Sequence, residues 1–495
     1  MFLVFVEFIV FFVLKRYQLP PASQGLASGQ AINPINTGSF MNPTLILINP
    51  WVYDFAAYDL WSKPLGLLYL ASQLRALGLT VHLIDCLDVH NPLMEKVGSI
   101  KKPVRRQYGT GKFWKQTLPK PSHLSTIPRT YSRYGITPQI FKKELKKVKR
   151  PVAILITSLM TYWYLGVFEA IQLVKDAHPD VPVILGGIYA TLCTGHARNN
   201  SHADFVIPSP GQFQPAELCQ LIKGIIPDFP IKEKLEPFFP YPAFDLLTKI
   251  DYVCLLGSSG CPFKCPYCAS PYLSPPFSKR EPLELFEEVL FWHKEYNIID
   301  FAFYDDALLG DSVNYISVFL EKVSKNNLAL RFHCPNGLHI TYIDRDIADL
   351  LYKAGFKMIR LGLETSDTKL HRDLGRKFSE GEFEDAVTHL KKAGFATNQI
   401  GAYVLVGLPG QTYDQVAETV TYVGKVGAMP YVSEYSPIPH TKMWEEAVKV
   451  SRFDLESEPL FHNNTILPCW NGDVFKESSM LKKMAQDIRK EAWNK

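Results

Sequence analysis

The chain has too few and too scattered cysteines for a disulfide framework. There are nine in 495 residues, and six of them (Cys86, Cys193, Cys219, Cys254, Cys334, Cys469) stand alone. An odd count in a long chain excludes a disulfide-stapled secreted scaffold and points to a reducing compartment, the cytoplasm. A membrane-spanning run is also lacking. The apolar stretch MFLVFVEFIVFFVL covers about 14 residues and is interrupted by Glu7, whereas a span needs ~20. Lys15 and Arg16 follow that stretch, where a secretory signal would place its charges before it. Residues 1–41 therefore read as an N-terminal extension, with membrane association through residues 1–15 not favoured. Met41 opens NPTLILINP, the natural start of a folded unit. Acids are nearly missing from one region: between Lys101 and Arg150, Glu144 alone stands against 15 Lys and Arg. That segment carries +14, which against the net +4 of the chain leaves −10 for the remainder.

What is present is the composition of a folded protein, with 47% hydrophobic and 21% charged residues in a length that calls for two or three domains. TLILIN (44–49), TVHLID (80–85), VAILITSL (152–159) and VPVILGG (181–187) are short apolar runs of the buried parallel-strand kind. Helical stretches at Pro64–Gly78 and Gly166–His178 alternate with them. This rhythm predicts an α/β doubly wound parallel sheet over 42–230, with the basic stretch 100–150 as an insert. Ligands of such a sheet lie beyond the C-terminal strand ends. A Pro- and Phe-rich linker covers 231–249.

A second βα series occupies 250–445. Its strands are expected at 252–257, 298–305, 328–336, 357–365, 398–410 and 429–439, with amphipathic helices between them, and residues 446–495 form a C-terminal extension. Six βα units predict a (β/α)6 partial barrel whose working face is formed by the C-terminal strand ends. At that face, just after the first strand, GSSGCPFKCPYCAS (257–270) holds Cys261, Cys265 and Cys268. A structural zinc site wants four ligands, and no second CxxC or matching His pair is near. A cluster that only transfers electrons usually has four cysteines. Three thiolates on one short loop suit a 4Fe-4S cluster with one iron left open for a ligand.

CPFKCPYC resembles the signature of the radical S-adenosylmethionine (radical SAM) superfamily. The resemblance implies that the amino and carboxylate groups of SAM chelate the open iron, and that reduction cleaves SAM to methionine and a 5′-deoxyadenosyl radical. It further implies that Tyr267, before the third cysteine, lies near the adenine. Asp305 and Asp306 in FYDDALL become candidates for the methionine part of SAM, although the glycine-rich form of that motif is absent. Glu364 in LGLET is a candidate for the ribose or amino group, and Gly407 in VGLPGQT for a backbone contact. Each has a plainer reading as a helix cap or a turn. The N-terminal half, from INP through PLGLLYLASQLRALGLTVHLID to ILGGIYATL, resembles the cobalamin-binding domain fused to many radical SAM enzymes. There Gly186 and Gly187 would let the backbone approach a flat ligand, and Thr191 would hydrogen-bond to it. The Asp-x-His-x-x-Gly motif of such domains is missing. DVHNPL (88–93) has Leu93 where Gly belongs and follows the second strand, so His90 reads as a loop histidine and not a cobalt ligand. SPGQFQ (209–214) stands in place of the usual acidic glycine turn.

These resemblances imply a radical SAM enzyme with a 4Fe-4S cluster, SAM and cobalamin, methylating an unactivated carbon or running a related radical reaction. Two alternatives stay open: a vestigial cobalamin domain beside a cyclising or rearranging enzyme, and a non-catalytic cobalamin- or redox-responsive sensor. The implied partners are a small-molecule or peptide substrate and an electron donor such as flavodoxin or ferredoxin. The basic insert mixes cations and aromatics, but no recognisable RNA-binding module accompanies it, so nucleic acid is not favoured.

Overall fold

The computed structural model describes residues 43–209, 215–227, 241–310, 313–375 and 377–494. The N-terminal extension, residues 210–214 of SPGQFQ and residues 231–240 of the linker lie outside them.

The first sheet contains β1 (Thr44–Asn49), β2 (Thr80–Asp85), β3 (Ala153–Ile156), β4 (Val183–Leu185) and β5 (Phe205–Val206). All are parallel and lie in the order β5-β4-β3-β1-β2. Leu45, Ile46, Leu47, Ile48, Ala153 and Ile154 are fully buried, because helices cover both faces of the sheet. This is the doubly wound order 2-1-3-4-5, whose connections diverge between β1 and β3 and open a crevice at the C-terminal strand ends there.

The basic insert is a built part of this unit. Ser132–Tyr134 pairs antiparallel with both Val52–Asp54 and Lys115–Thr117. Trp114, Leu124, Tyr131 and Phe141 enter one core with Ile46, Ile48 and Ile156. Its lysines lie at the surface, while its aromatics pack inward.

The second sheet runs β6 (Val253–Leu255), β7 (Asp300–Phe303), β8 (Arg331–His333), β9 (Phe356–Glu364), β10 (Ile400–Val406) and β11 (Met429–Glu434). The six are parallel and consecutive, as expected for a partial barrel. Several strands are shorter than their apolar runs. The GLPG segment and the Pro437–Pro439 segment lie beyond the last ladder bonds, since proline offers no backbone donor.

The two units share a core. Trp61, Leu65, Leu68 and Tyr69 of the N-terminal unit pack with Tyr252, Leu255, Leu285 and Val289 of the barrel. Trp61 stacks on His333 at 4.0 Å between ring centroids, and Tyr108 lies 4.6 Å from the same ring. Tyr252 donates its hydroxyl to Asp59, and Arg75 forms an ion pair with Asp245. Residues 453–470 of the C-terminal extension cross back over both units. Asn463 donates to Asp54, His462 bonds to Thr161 and Asn464 donates to the Glu434 carbonyl. Among the described residues no helix is long and apolar enough to cross a membrane.

Candidate active site at the facing strand ends

The cysteine loop leaves the barrel just after β6. Short antiparallel strands Ser258–Ser259 and Ser278–Lys279 close its base. Asp305, past the end of β7, accepts from the Gly257 amide at 3.0 Å and the Ser258 hydroxyl at 2.6 Å. Asp306 accepts from Ser270 at 2.5 Å and Ser274 at 3.4 Å, on the helix that follows Cys268. The two carboxylates therefore grip the loop on either side of its thiols. Burial pushes each up to about 6, against which their hydrogen bonds act.

None of the three cysteines is in a disulfide. Burial pushes Cys261 up to about 12 and raises Cys268 as well. Metal coordination would be needed to hold such thiols as thiolates at neutral pH. Among the described residues no three His, Cys, Asp or Glu side chains converge on a point that could hold one metal ion. Cys261, Cys265 and Cys268 would supply three thiolates to a 4Fe-4S cluster. The donor set fits a cluster with an open corner.

Tyr267 is carried by the loop into contact with the end of β9. Lys377 donates to the Tyr267 hydroxyl at 2.8 Å and to Glu364 Oε1 at 2.8 Å, and its Nζ stands 5.5 Å from the Tyr267 ring centroid. Burial favours a neutral lysine, but Glu364 and Tyr267 outweigh it and hold the ammonium above the ordinary lysine value. Glu364 adopts φ 67°, a conformation that a non-glycine residue rarely takes and that clusters at functional sites. The ladder between β9 and β10 shifts register at the same point.

Gly407 has φ 95°, and a Cβ there would lie 2.6 Å from Leu467 of the crossing segment. Its amide donates to Gln411 Oε1 at 2.9 Å, so the loop after β10 closes on its own glutamine. His339 stacks flat on Phe263, which lies between Cys261 and Cys265, at 4.3 Å and 11°. Its Nδ1 is buried without a partner, and burial pulls the imidazole down to about 3.

In the N-terminal unit, Gly187 has φ 93° and a Cβ there would stand 2.3 Å from the Ser158 carbonyl oxygen. The need for glycine at 187 is thus met within the chain, by close approach to the turn after β3. Gly186 is different, since a Cβ there would meet only the Ile207 carbonyl oxygen, at 3.9 Å. Thr191 donates to the Gly187 carbonyl at 2.9 Å and accepts from the Ser209 amide at 3.1 Å. Its hydroxyl is thus shared between the start of its own helix and the segment after β5, a pairing that sequence spacing could not reveal. His90 bonds to Asp251 across the two units and is a loop histidine, as read from the sequence.

Gly186, Gly187 and Thr191 nonetheless lie close to the cysteine loop. Ile188 and Leu192 pack against Ala269 and Leu273, immediately after Cys268, with half-buried Leu159 and Ile438 alongside. The C-terminal strand ends of the two units face each other across this contact. A flat ligand held at the β3 and β4 ends would border the cysteine loop; the open position at Gly186 suits its close approach, whereas Gly187 and Thr191 are used within the chain. The sequence had not singled out Lys377 or His339. Lys377 sits among ordinary surface-type charges (KLHRDLGRKFSEGE), and His339 is a single histidine in a loop.

Residues 255–423 match the model of the Radical SAM superfamily. An uncharacterized methyltransferase of Pyrococcus horikoshii is 23% identical over 313 residues, covering 57% of this chain and 66% of that protein. The anaerobic magnesium-protoporphyrin IX monomethyl ester cyclase of Rubrivivax gelatinosus is 22% identical over 365 residues, covering 66% and 63%. The chain thus spans just under two thirds of the length of these relatives. In three dimensions it is similar to the radical S-adenosylmethionine methyltransferase TsrM from Kitasatospora setae, with a TM-score of 0.57 at 16% identity, covering 83% of this chain and 77% of that one. The cobalamin-dependent S-adenosylmethionine radical enzyme OxsB gives a TM-score of 0.52 at 12% identity, covering 90% and 61%. At these identities the likeness is one of fold, and it extends over both units.

Proposed function

Given that residues 255–423 form a radical SAM domain, we propose that the whole chain is a cobalamin-dependent radical SAM enzyme that transfers a methyl group to an unactivated carbon or carries out a closely related radical reaction. One observation carries the reading. The short helix Ile188–Leu192, at the β4 end of a doubly wound sheet of the kind that holds a ligand at its strand ends, packs directly on the helix that follows Cys268. Two cofactors would therefore share one chamber.

When bound, the cluster and SAM supply the radical, and the corrin supplies the methyl carrier. The residues of the chain have the following roles. Cys261, Cys265 and Cys268 hold three irons, while Asp305 and Asp306 keep their loop in place. Tyr267, Glu364 and the loop at Gly407 form the wall on which SAM lies. The lining at Leu159, Gly186 and Ile188 takes the corrin face. His90 is committed to Asp251, so the chain offers no lower cobalt ligand at that position. The relatives named methyltransferase and the likeness to TsrM and OxsB support this assignment over a vestigial first domain.

The test is anaerobic reconstitution of the full chain with iron, sulfide and a corrin. The wild type is expected to hold about four irons per chain, to take up corrin with its visible absorbance, and to form 5′-deoxyadenosine from SAM and a reductant. Cys261→Ala, Cys265→Ala and Cys268→Ala should each lose cluster absorbance and SAM cleavage. Retained cleavage in any one of them would overturn the cluster assignment. SAM cleavage with no corrin uptake would leave a radical SAM enzyme with a vestigial first domain. A substrate of small-molecule or peptide size is expected, with reducing equivalents from a flavodoxin- or ferredoxin-type donor.

A further inference from the structure

We propose that Lys377, outside every motif of the chain, is the positioning residue of the SAM site, joining the cluster loop to the carboxylate on β9. The proposal rests on the reading that this site takes a 4Fe-4S cluster and SAM.

The ammonium of Lys377 stands 2.8 Å from the Tyr267 hydroxyl and 2.8 Å from Glu364 Oε1. Tyr267 rides between Cys265 and Cys268, and Glu364 ends β9. These two side chains reach the site on separate elements, 97 positions apart in sequence, and one cation joins them. The Lys377–Glu364 pair is largely removed from water, with side-chain exposures of 15% and 11%. Breaking such a pair leaves a charge without compensation in a poorly solvated place.

The cation also acts on the shape of the site. Glu364 is held at φ 67°, in a backbone region that persists only where surrounding contacts over-determine it. The ion pair is one such contact, and the register shift at Gly362 and Glu364 is another. Lys377 thus aims the carboxylate, and a ligand carrying a sulfonium and an ammonium is matched by the oxygens that the ion pair holds in place. The same cation fixes the phenol of Tyr267, so the ring cannot turn away from the wall it shares with the cysteine loop. Lys377 acts through Glu364 and Tyr267 and is not itself assigned a contact with the reacting atoms.

The experiment compares reconstituted wild type, Lys377→Met, Lys377→Arg and Tyr267→Phe. It measures iron per chain, equilibrium dialysis of labelled SAM, and the electron paramagnetic resonance signal of the reduced cluster with and without SAM. Lys377→Met should keep the iron content of the wild type, bind SAM at least about tenfold more weakly and show a reduced SAM-induced change in the signal, since a charge-assisted pair is lost. Lys377→Arg should recover affinity to within about threefold, because the cation and its donors are retained. Tyr267→Phe keeps the ion pair and should fall between the two. If Lys377→Met does not fold, Lys377→Arg and Tyr267→Phe carry the test: wild-type affinity in Tyr267→Phe together with a loss in Lys377→Arg overturns the proposal. Wild-type affinity in Lys377→Met, or loss of iron in step with loss of SAM, also overturns it. A wild-type chain that holds its cluster but binds no SAM would defeat the functional reading itself, an outcome distinct from failure at Lys377 alone.

Discussion

Ser158 occupies the space into which any side chain on residue 187 would have to grow. Gly187→Ala would set a Cβ 2.3 Å from the Ser158 carbonyl oxygen at φ 93°, a strain of roughly 1–3 kcal/mol or more. The neighbouring substitution is a control, because Gly186→Ala meets only one atom, at 3.9 Å. We expect Gly187→Ala to lower the melting temperature of the corrin-free chain, while Gly186→Ala leaves it unchanged and weakens corrin uptake. Differential scanning fluorimetry and corrin absorbance after desalting would check the pair. Both glycines were legible as special from sequence, but their different reasons were not, since one depends on a carbonyl 29 positions away in the chain. The cysteines were legible for the opposite reason: three thiols within eight positions are a local pattern. Resemblance made Asp305 and Asp306 candidates for the methionine part of SAM, whereas their grip on Gly257, Ser258, Ser270 and Ser274 depends on how the loop folds back.

The crossing segment 453–470 is the element whose importance was least visible in sequence, because it has no period and no motif. Its role lies in its contacts. His462 bonds through Nδ1 to Thr161 at 2.9 Å and through Nε2 to the Leu455 carbonyl at 2.8 Å. Burial pulls its imidazole down to about 4, against the backbone hydrogen bond to Leu455. The unfolded chain therefore takes up this proton near pH 6.5 and the folded chain only near 4. Stability from His462 is complete above 6.5 and is lost as the pH falls towards 4. The loss is of order 3 kcal/mol at about 1.4 kcal/mol per pH unit. His462→Gln, which keeps a donor and an acceptor but does not titrate, should flatten the fall in urea-unfolding stability between pH 6.5 and 4. An unchanged slope would show that the segment is not held through this imidazole.

At the scale of the whole molecule, the barrel is completed by the other unit. Trp61 and Tyr108 both adopt positive φ, 70° and 63°, and Trp61 stacks on the ring of His333 while Tyr108 meets it tilted. Asp59, Lys63 and Tyr252 make a buried polar seam beside them. Removing the indole should therefore destabilise both units together. We expect Trp61→Ala to cost about 3–5 kcal/mol and to leave a single calorimetric transition at lower temperature. Two separated transitions would show that the units fold independently. The sequence suggested two domains and a linker. Each sheet has its own apolar cluster, and Leu65, Leu68 and Tyr69 of the first unit add to that of the second by packing with Leu285 and Val289.

Local pattern alone determined the two βα rhythms, the order of the units and the three thiols of the cluster loop. Strand formation and metal-ligand spacing depend on residues close together in the chain, so a one-dimensional reading recovers them. Only the tertiary structure decided that the two sets of strand ends face each other, that Lys377 joins Tyr267 to Glu364, and that residues 453–470 tie the units together. Those relations join side chains far apart in sequence, and their energies come from burial and charge pairing that exist only after the chain has closed on itself.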